Sequence, residues 1–411
     1  MKLLPAVLAE RNFRFLFVAR ATSAFGDRLA PVALPFAVLS LGGSTKELGL
    51  VEAAAIVPTL LLITLGGTLA DRVRPQRIML LSDVINTCVQ SLTALLLITG
   101  AANLWHLALL QAIWGASSAF LNPAFTSVVP LVVPADDLQE ANAALGLPRS
   151  IASIAGPAAA GFLVVTAGPG WAFAVDALSF AVSAAAMAPL WNVGARTMEL
   201  PGLLVDLREG WHEFTSRRWL WTVVLYFGFF HVFYIAPIHV IGPAVAEASL
   251  GGARAWGTIL TIGGVGGVIG SVLAMRWKPR RAMLVFVSLS FIFAPELVML
   301  AIPASVPLIA LAAFVGGTGM SYGLALWLTM LQRHIPQRSL ARVSAYDWLG
   351  SLLFYPVGAA VVGFLGEAIG FGPTLWLGFV GVIISTLMIL SLADVRAIGI
   401  APEEELQPAT A

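Results

Sequence analysis

The chain has 411 residues, of which 59% are hydrophobic and only 11% charged, and its formal net charge is +1. A soluble domain carries about 25% charged residues, so the composition excludes a water-soluble globule and points to lipid as the solvent. The near-zero charge gives no reason to expect nucleic acid or another acidic polymer as a partner.

The opening residues 1–20, MKLLPAVLAERNFRFLFVAR, do not read as a signal peptide. Pro5 and Glu10 break the short apolar stretch, and no small-residue cleavage site follows. A helix needs about 20 apolar residues to cross the hydrocarbon. Twelve segments qualify: 13–41, 48–70, 76–100, 104–132, 141–167, 171–192, 219–247, 255–275, 281–302, 306–332, 343–369 and 373–394.

A charge in mid-membrane costs about 2.5–3.5 kcal/mol on insertion scales, so each one needs a reason. Span 1 holds Arg20, Asp27 and Arg28 and is interrupted by Pro31 and Pro35. Asp27 lies two helical turns, about 10 Å, beyond Arg20 on the same face, and Arg28 points about 100° away. Asp27 is the first candidate for a proton-carrying carboxylate. The structural alternative is a fixed Asp–Arg pair that pins span 1 to a neighbour.

Asp83 sits in span 3, beside the lone cysteine Cys88, which has no partner in the chain and reads as inert filler. Arg149 lies in span 5. Asp176, near the outer end of span 6, suits either proton exchange or a helix-terminal hydrogen bond. Segment 199–218 reads as an amphipathic helix along the inner face. Span 7 carries His231 and His239 and is bent at Pro237 and Pro243. Imidazole titrates near neutrality, so His231 is a candidate proton carrier, although a lone helix histidine is more often a packing residue. Span 8 has the run GGVGGVIGS and span 10 the run GGTGMSYG, small-residue stripes that permit close helix contact. Glu296 follows Pro295 in span 9 and is a further proton-coupling candidate. Asp347 opens span 11. The end from Asp394, with Glu403–Glu405, reads as a disordered cytoplasmic tail.

Orientation follows from the 23 Lys and Arg residues. With the N-terminus inside, 18 lie in cytoplasmic segments, only Lys46 and Arg254 lie outside, and Arg20, Arg28 and Arg149 fall within spans.

Residues 66–80, GGTLADRVRPQRIML, recur as 270–284, GSVLAMRWKPRRAML, at an offset of 204. At the same offset His231 answers Asp27, which would set the two opposite each other across a central cavity. A second echo aligns Pro134, Leu138, Gly156 and Gly161 with Pro336, Leu340, Gly358 and Gly363. Two same-sense halves argue for a transporter whose site lies between them. The expected architecture is therefore an all-α membrane protein with 12 transmembrane helices in two pseudo-symmetric six-helix bundles. Residues 1–192 form the first bundle, 193–218 a cytoplasmic amphipathic linker, 219–394 the second bundle and 395–411 the tail.

GGTLADRVRPQR resembles the signature loop of the major facilitator superfamily, Gly-x-Leu-x-Asp-Arg-x-Gly-Arg-Arg. Gly67, Leu69, Asp71 and Arg72 match it, Arg74 and Pro75 depart from it, and Arg77 stands in for the later basic positions. The stretches NFRFLFVARATSAFGDRLAPVALP, NPAFTSVVPLVVPADDLQEANA and GPAAAG…AFAVDALSF resemble the exporter branch of macrolide-efflux and enterobactin-exporter-like proteins, the third drug–proton antiporter group. The fourth-helix motif of many family antiporters is weak here. Gly115 fits it, but Gln111 and Trp114 replace its arginine and glutamine.

The resemblance implies the major facilitator fold and an inner-side gate of Gly67, Asp71, Arg72 and Arg77, joined by Asp83, Arg149 and Asp347. It also implies that spans 1, 4, 7 and 10 line the cavity. The substrate-contact candidates are then Arg20, Phe25, Arg28, Trp114, Phe120, Asn122, Phe230, Tyr234, Tyr322 and Trp327. Aromatics with few polar groups suit a greasy, planar or cationic molecule, and equally suit packing.

The leading expectation is proton-coupled export of a hydrophobic small molecule by a monomer in a bacterial inner membrane, both termini cytoplasmic. A lipid or lysolipid flippase, or an importer or uniporter, is the alternative. No HExxH, GxSxG, nucleotide-binding loop or Cys–His cluster supports an enzyme. No cofactor or metal is implied.

Overall fold

The computed structural model describes residues 9–134, 138–193, 203–302 and 304–398. The side chains of 64–72, 122, 123, 126, 127, 130, 138–140, 142, 143, 203–207, 209, 332, 337–342, 345 and 397 lie outside the description. Among the described residues every regular element is helical. In chain order they are α1 (Arg11–Gly26), α2 (Ala30–Ser40), α3 (Thr45–Arg72), α4 (Pro75–Ile98), α5 (Leu104–Val132) and α6 (Leu138–Ala167). Next come α7 (Pro169–Met187), α8 (Leu203–Ser216), α9 (Arg218–Phe230), α10 (Ala236–Val245), α11 (Ala253–Arg276) and α12 (Ala282–Ser288). The last are α13 (Ala294–Ala301), α14 (Val306–His334), α15 (Gln337–Leu352), α16 (Tyr355–Ala368), α17 (Phe371–Ser391) and α18 (Ala393–Ala397).

The chain is a multi-pass, all-helical membrane protein. Ten helical stretches among the described residues are long and apolar enough to cross a bilayer, the first being Pro75–Ile98 and the last Phe371–Ser391. The expected spans 13–41 and 48–70 are not among these ten. Span 1 is divided into helices of 16 and 11 residues, and its first half carries Arg11, Arg14 and Arg20. Span 2 falls within α3, which runs into the 64–72 segment.

Four expected spans change part-way, two at a turn, one through a π-helical stretch and one through a 3-10 stretch, and in each a proline is the second residue of the later half: Pro31 in α2, Pro237 in α10, Pro295 in α13 and Pro356 in α16. Proline lacks an N–H, and the first turn of a helix has no partner for one, so a break there costs least. Ahead of Pro237 the helix widens into one π-helical turn, His231–Ile235.

The chain divides into two compact units, residues 1–200 with 246–261, and 201–245 with 262–411. In the first, α3 and α5 cross at Gly115. A Cβ there would fall 1.8 Å from the Ala55 carbonyl oxygen, so only glycine lets the backbones meet. The Thr59 hydroxyl donates to the Gly115 carbonyl at 2.8 Å and secures the crossing. At the start of α3, the Ser44 N–H donates to the Glu47 carboxylate at 2.9 Å and the Lys46 N–H donates to Ser44 Oγ at 3.2 Å, which caps the first turn. In the second unit the two glycine runs meet as one crossing of α11 and α14. A Cβ on Gly266 would fall 2.0 Å from the Phe314 carbonyl oxygen, and the Thr318 hydroxyl donates to the Gly266 carbonyl at 3.0 Å. Helix α8 packs its Trp211 and Phe214 on Tyr346 of α15, with ring centroids 5.4 and 6.0 Å apart.

Candidate functional site

In the first unit the polar groups converge where α1, α4 and α7 meet. Helix α1 ends at Gly26, and Asp27 is the residue after its last turn, its N–H still bonded to the Ser23 carbonyl at 2.9 Å. Asp27 is half-buried. Among the described residues it makes no ion pair within 4.0 Å, so the fixed Asp27–Arg20 pair considered from sequence does not form. Arg20 instead lays its guanidinium over the Phe125 ring of α5, 4.5 Å from the centroid. It remains within electrostatic reach of both Asp27 and Asp83. Arg28 packs against Gly156 of α6, where a Cβ would fall 2.3 Å from the Arg28 Cβ. That contact gives the GPAAAG run a packing role beside the candidate carboxylate. Phe25 is half-buried.

Asp83 and Asp176 are fully enclosed, at 0% and 2% exposure. The Ser183 hydroxyl donates to Asp83 at 2.6 Å, and the Gln90 amide donates to Asp176 at 2.6 Å. Ser179 donates to the Asp176 carbonyl at 2.7 Å. Gly26 of α1 sits directly on this pair, since a Cβ there would fall 2.0 Å from Ser179 Oγ and 2.3 Å from Asp176 Oδ1. Asp83 was expected in an inner gate with Asp71 and Arg72; its bonded partner is Ser183 of α7. The side chains of Gly67, Asp71, Arg72 and Asn122 lie outside the described residues. Arg149 is exposed and lies within electrostatic reach of Asp27. Trp114 and Phe120 of α5 are half-buried.

Arg77 clasps the end of α7. Its guanidinium lies 4.6 Å from the Trp191 ring centroid and donates to the Trp191 carbonyl at 3.3 Å and to Asn192 Oδ1 at 3.2 Å. Arg74 joins at Asn192, and Gln76 donates to the Val193 carbonyl. The second basic turn is tied at the end of its own unit by a backbone bond instead, the Met283 N–H donating to the Ile398 carbonyl at 3.3 Å. Each copy of the repeat thus ties its helix turn to the segment that leaves its last long helix.

In the second unit, Tyr234 donates its hydroxyl to Glu296 at 2.5 Å. Phe230, Tyr234 and Phe293 close around this pair, with ring centroids 4.9 to 5.3 Å apart. His231 is half-buried and shares its Nδ1 with the Phe227 carbonyl at 2.8 Å. Its ring stands edge-on to Tyr355, which also meets Nδ1 of His239 at 3.4 Å. Trp327 donates its indole N–H to Asp347 at 2.9 Å and stacks on Phe286. Tyr322 is 1% exposed, stacks on Trp277 and donates to its carbonyl at 3.2 Å. Tyr322 and Trp327 sit inside the hydrophobic core of this unit.

Sequence reasoning named Asp83 and Asp176 but missed Asn86, Gln90, Ser179 and Ser183. The signal was present: Asp83, Asn86 and Gln90 fall at i, i+3 and i+7, one stripe of strongly polar side chains in the middle of a mostly apolar helix. Among the described residues no group of three or more His, Cys, Asp or Glu is placed to hold a metal ion.

Residues 16–350 match the family model described as Major Facilitator Superfamily. The chain is 25% identical over 409 residues to the multidrug efflux pump Tap of Mycobacterium tuberculosis, covering 96% of each chain. It is 21% identical over 371 residues to macrolide efflux protein A of Streptococcus pyogenes, covering 87% of this chain and 90% of that one. A solved POT family transporter superposes with a TM-score of 0.75 at 14% identity, over 94% of this chain and 97% of the other, which is a likeness of fold. With a match that runs through most of its length, this chain belongs to the major facilitator superfamily, a superfamily of transporters rather than enzymes.

Proposed function

We propose that the protein exports hydrophobic small molecules across a bacterial inner membrane in exchange for protons. It works as a monomer of twelve spans in two six-helix halves, with both termini cytoplasmic. The resemblance to drug-efflux relatives supports the transport class. The observation that carries the coupling is the state of Asp27. It is a half-buried carboxylate just past the end of α1, with no ion pair within 4.0 Å among the described residues. A carboxylate spared a fixed partner is free to exchange a proton, and burial makes its charge costly enough for titration to tip a conformational equilibrium.

In this cycle a proton entering from outside neutralises Asp27. Neutralisation removes a charge that otherwise holds or repels substrate and shifts the balance between outward-open and inward-open states. Phe25, Trp114 and Phe120 offer half-buried aromatic surface for an apolar or cationic substrate. Glu296, His231 and Asp176 are secondary proton acceptors. Asp71, Arg72 and Gly67 form the inner gate, with Arg77 holding the adjoining turn.

Asp27→Asn is expected to bind substrate yet fail to concentrate it in proteoliposomes under an imposed proton gradient. Accumulation at the parent level by this variant overturns the mechanism. Energised flux of a fluorescent lysolipid between leaflets, with no flux of soluble drugs, would instead point to lipid as the cargo.

A further inference from the structure

The polar side chains of α1, α4 and α7 fall into three layers. Arg20 and Asp27 on α1, Asp83 and Gln90 on α4, and Asp176 and Ser183 on α7 are each seven residues apart. Seven residues make two helical turns, about 10 Å. The observed contacts fix the register. Gln90 bonds Asp176, and Gly26, beside Asp27, sits on the same carboxylate. Two turns away Ser183 bonds Asp83, which Arg20 faces. Between these levels lie Ser23, Asn86 and Ser179, all buried.

Every layer holds a buried polar atom with no hydrogen-bond partner among the described residues. Arg20 Nη1 and Asp83 Oδ1 are bare at one end, both amide atoms of Asn86 in the middle, and Gln90 Oε1 at the other end. Leaving such a group dry forfeits its hydration with nothing in return, so five of them in one column call for an occupant. The five include donors and acceptors. A bare cation would answer only the acceptors and would lie against Arg20. An anion would answer only the donors and would face Asp83. Water answers both, and internal waters sit where several such groups converge.

We propose that the α1–α4–α7 column holds a file of internal water through which Asp27, Asp83 and Asp176 share a proton. This deepens the exporter reading and rests on it only for the use of the proton, not for the existence of the site. The charged groups that face the column are few. Helix α1 and its end bring Arg20 and Asp27, α4 brings Asp83, and α7 brings Asp176. Arg28 and, from α6, Arg149 face Asp27. On helix α5 the neutral Ser117 donates to the Ser82 carbonyl of α4 at 3.3 Å, and His106 caps the outer end at Asn103. Helix α2 carries no titratable side chain, and α3 carries Lys46, Glu47 and Glu52 in its first two turns and, at its other end, Asp71 and Arg72, whose side chains lie outside the described residues. Arg77 is held at Trp191 and Asn192. Among the three carboxylates Arg28 and Arg149 act on Asp27 alone, Asp83 has only Arg20 and Asp176 has no arginine neighbour, which leaves the column able to hold protons.

The test is infrared difference spectroscopy of the purified full-length protein between acid and alkaline pH, in light and heavy water. The unmodified protein is expected to give a protonated-carboxyl C=O band that shifts down on equilibration in heavy water, as a hydrated column requires. Asp83→Asn and Asp176→Asn, each confirmed as folded by its thermal transition, are expected to remove separate parts of that band. Asn86→Leu, which keeps all three carboxylates but fills the middle layer, is expected to slow the heavy-water shift. A band that does not shift in the unmodified protein overturns the proposal without any variant. So does a band unchanged in both aspartate variants, or lost entirely in Asp27→Asn alone. Transport is not the readout, so a failure here leaves the exporter reading standing, and transport found to need no proton gradient leaves the column standing.

Discussion

Trp327 and Asp347 each read, from sequence, as a functional side chain in its own right, Trp327 as substrate contact and Asp347 as part of a gate. The structure brings them together in one buried hydrogen bond of 2.9 Å, with the indole packed on Phe286. Removing the indole N–H takes one of the partners from a buried carboxylate that Ser351 also serves, which costs about 1–3 kcal/mol. Trp327→Phe is therefore expected to lower the thermal unfolding midpoint, and Asp347→Asn in the same background to recover part of the loss. A double-mutant cycle in which the two losses simply add would show that the bond carries no coupling. The charges in this chain were easy to find because a charge in oil stands out in a sequence. Their partners were not. Ser183 lies 100 positions from Asp83, Asp176 lies 86 from Gln90 and Tyr234 lies 62 from Glu296. A serine or glutamine in an apolar helix gives no indication of which neighbour it will face.

At the level of single elements, glycines with the same sequence appearance have different duties. Gly115 lies at the α3–α5 crossing, where a methyl group would collide with the Ala55 carbonyl. A methyl group added at Gly146 of α6 would meet nothing within 4 Å. Gly115→Ala is expected to destabilise by about 1–3 kcal/mol through overpacking. Gly146→Ala is expected to be neutral or to stabilise by up to about 1 kcal/mol through helix propensity. Thermal unfolding of the two variants in one detergent checks the contrast, and equal midpoints would show that the helices separate easily at Gly115. The prolines were more legible. Pro31 and Pro237 fall where their spans change part-way, because a missing N–H acts locally, whereas Pro35 and Pro243 lie inside α2 and α10 without interrupting them. That the bend before Pro237 takes the form of a π-helical turn at His231–Ile235 depends on packing and could not be read off the residues.

For the whole molecule, the topology turns on whether residues 13–70 cross the membrane twice. Among the described residues ten stretches meet the length and hydropathy of a span, and all begin at or after Pro75. Two further crossings leave the orientation of everything after residue 75 unchanged, so the positive-inside pattern of the later loops does not decide the matter. Lys46 does. With twelve spans it faces outside, and with ten it faces the cytoplasm. Cys88 is the only cysteine of the chain, so Cys88→Ser provides a background for single-cysteine labelling. In that background Lys46→Cys is expected to react with an impermeant maleimide added to intact cells, and Arg280→Cys only after lysis. Protection of Lys46→Cys in intact cells would remove the first two crossings.

The sequence by itself determined the solvent of this protein, its helical class, its recurring motif at an offset of 204 and the positions of its costly charges. Those properties follow from composition and periodicity, which are written along the chain and need no knowledge of what meets what. Only the tertiary structure decided which charges are paired, that Arg20 turns to Phe125 and leaves Asp27 without an ion pair, and that α1, α4 and α7 align their polar residues in layers. Such choices depend on side chains brought together from positions far apart in sequence, where burial makes the presence or absence of one hydrogen bond worth more than any local preference.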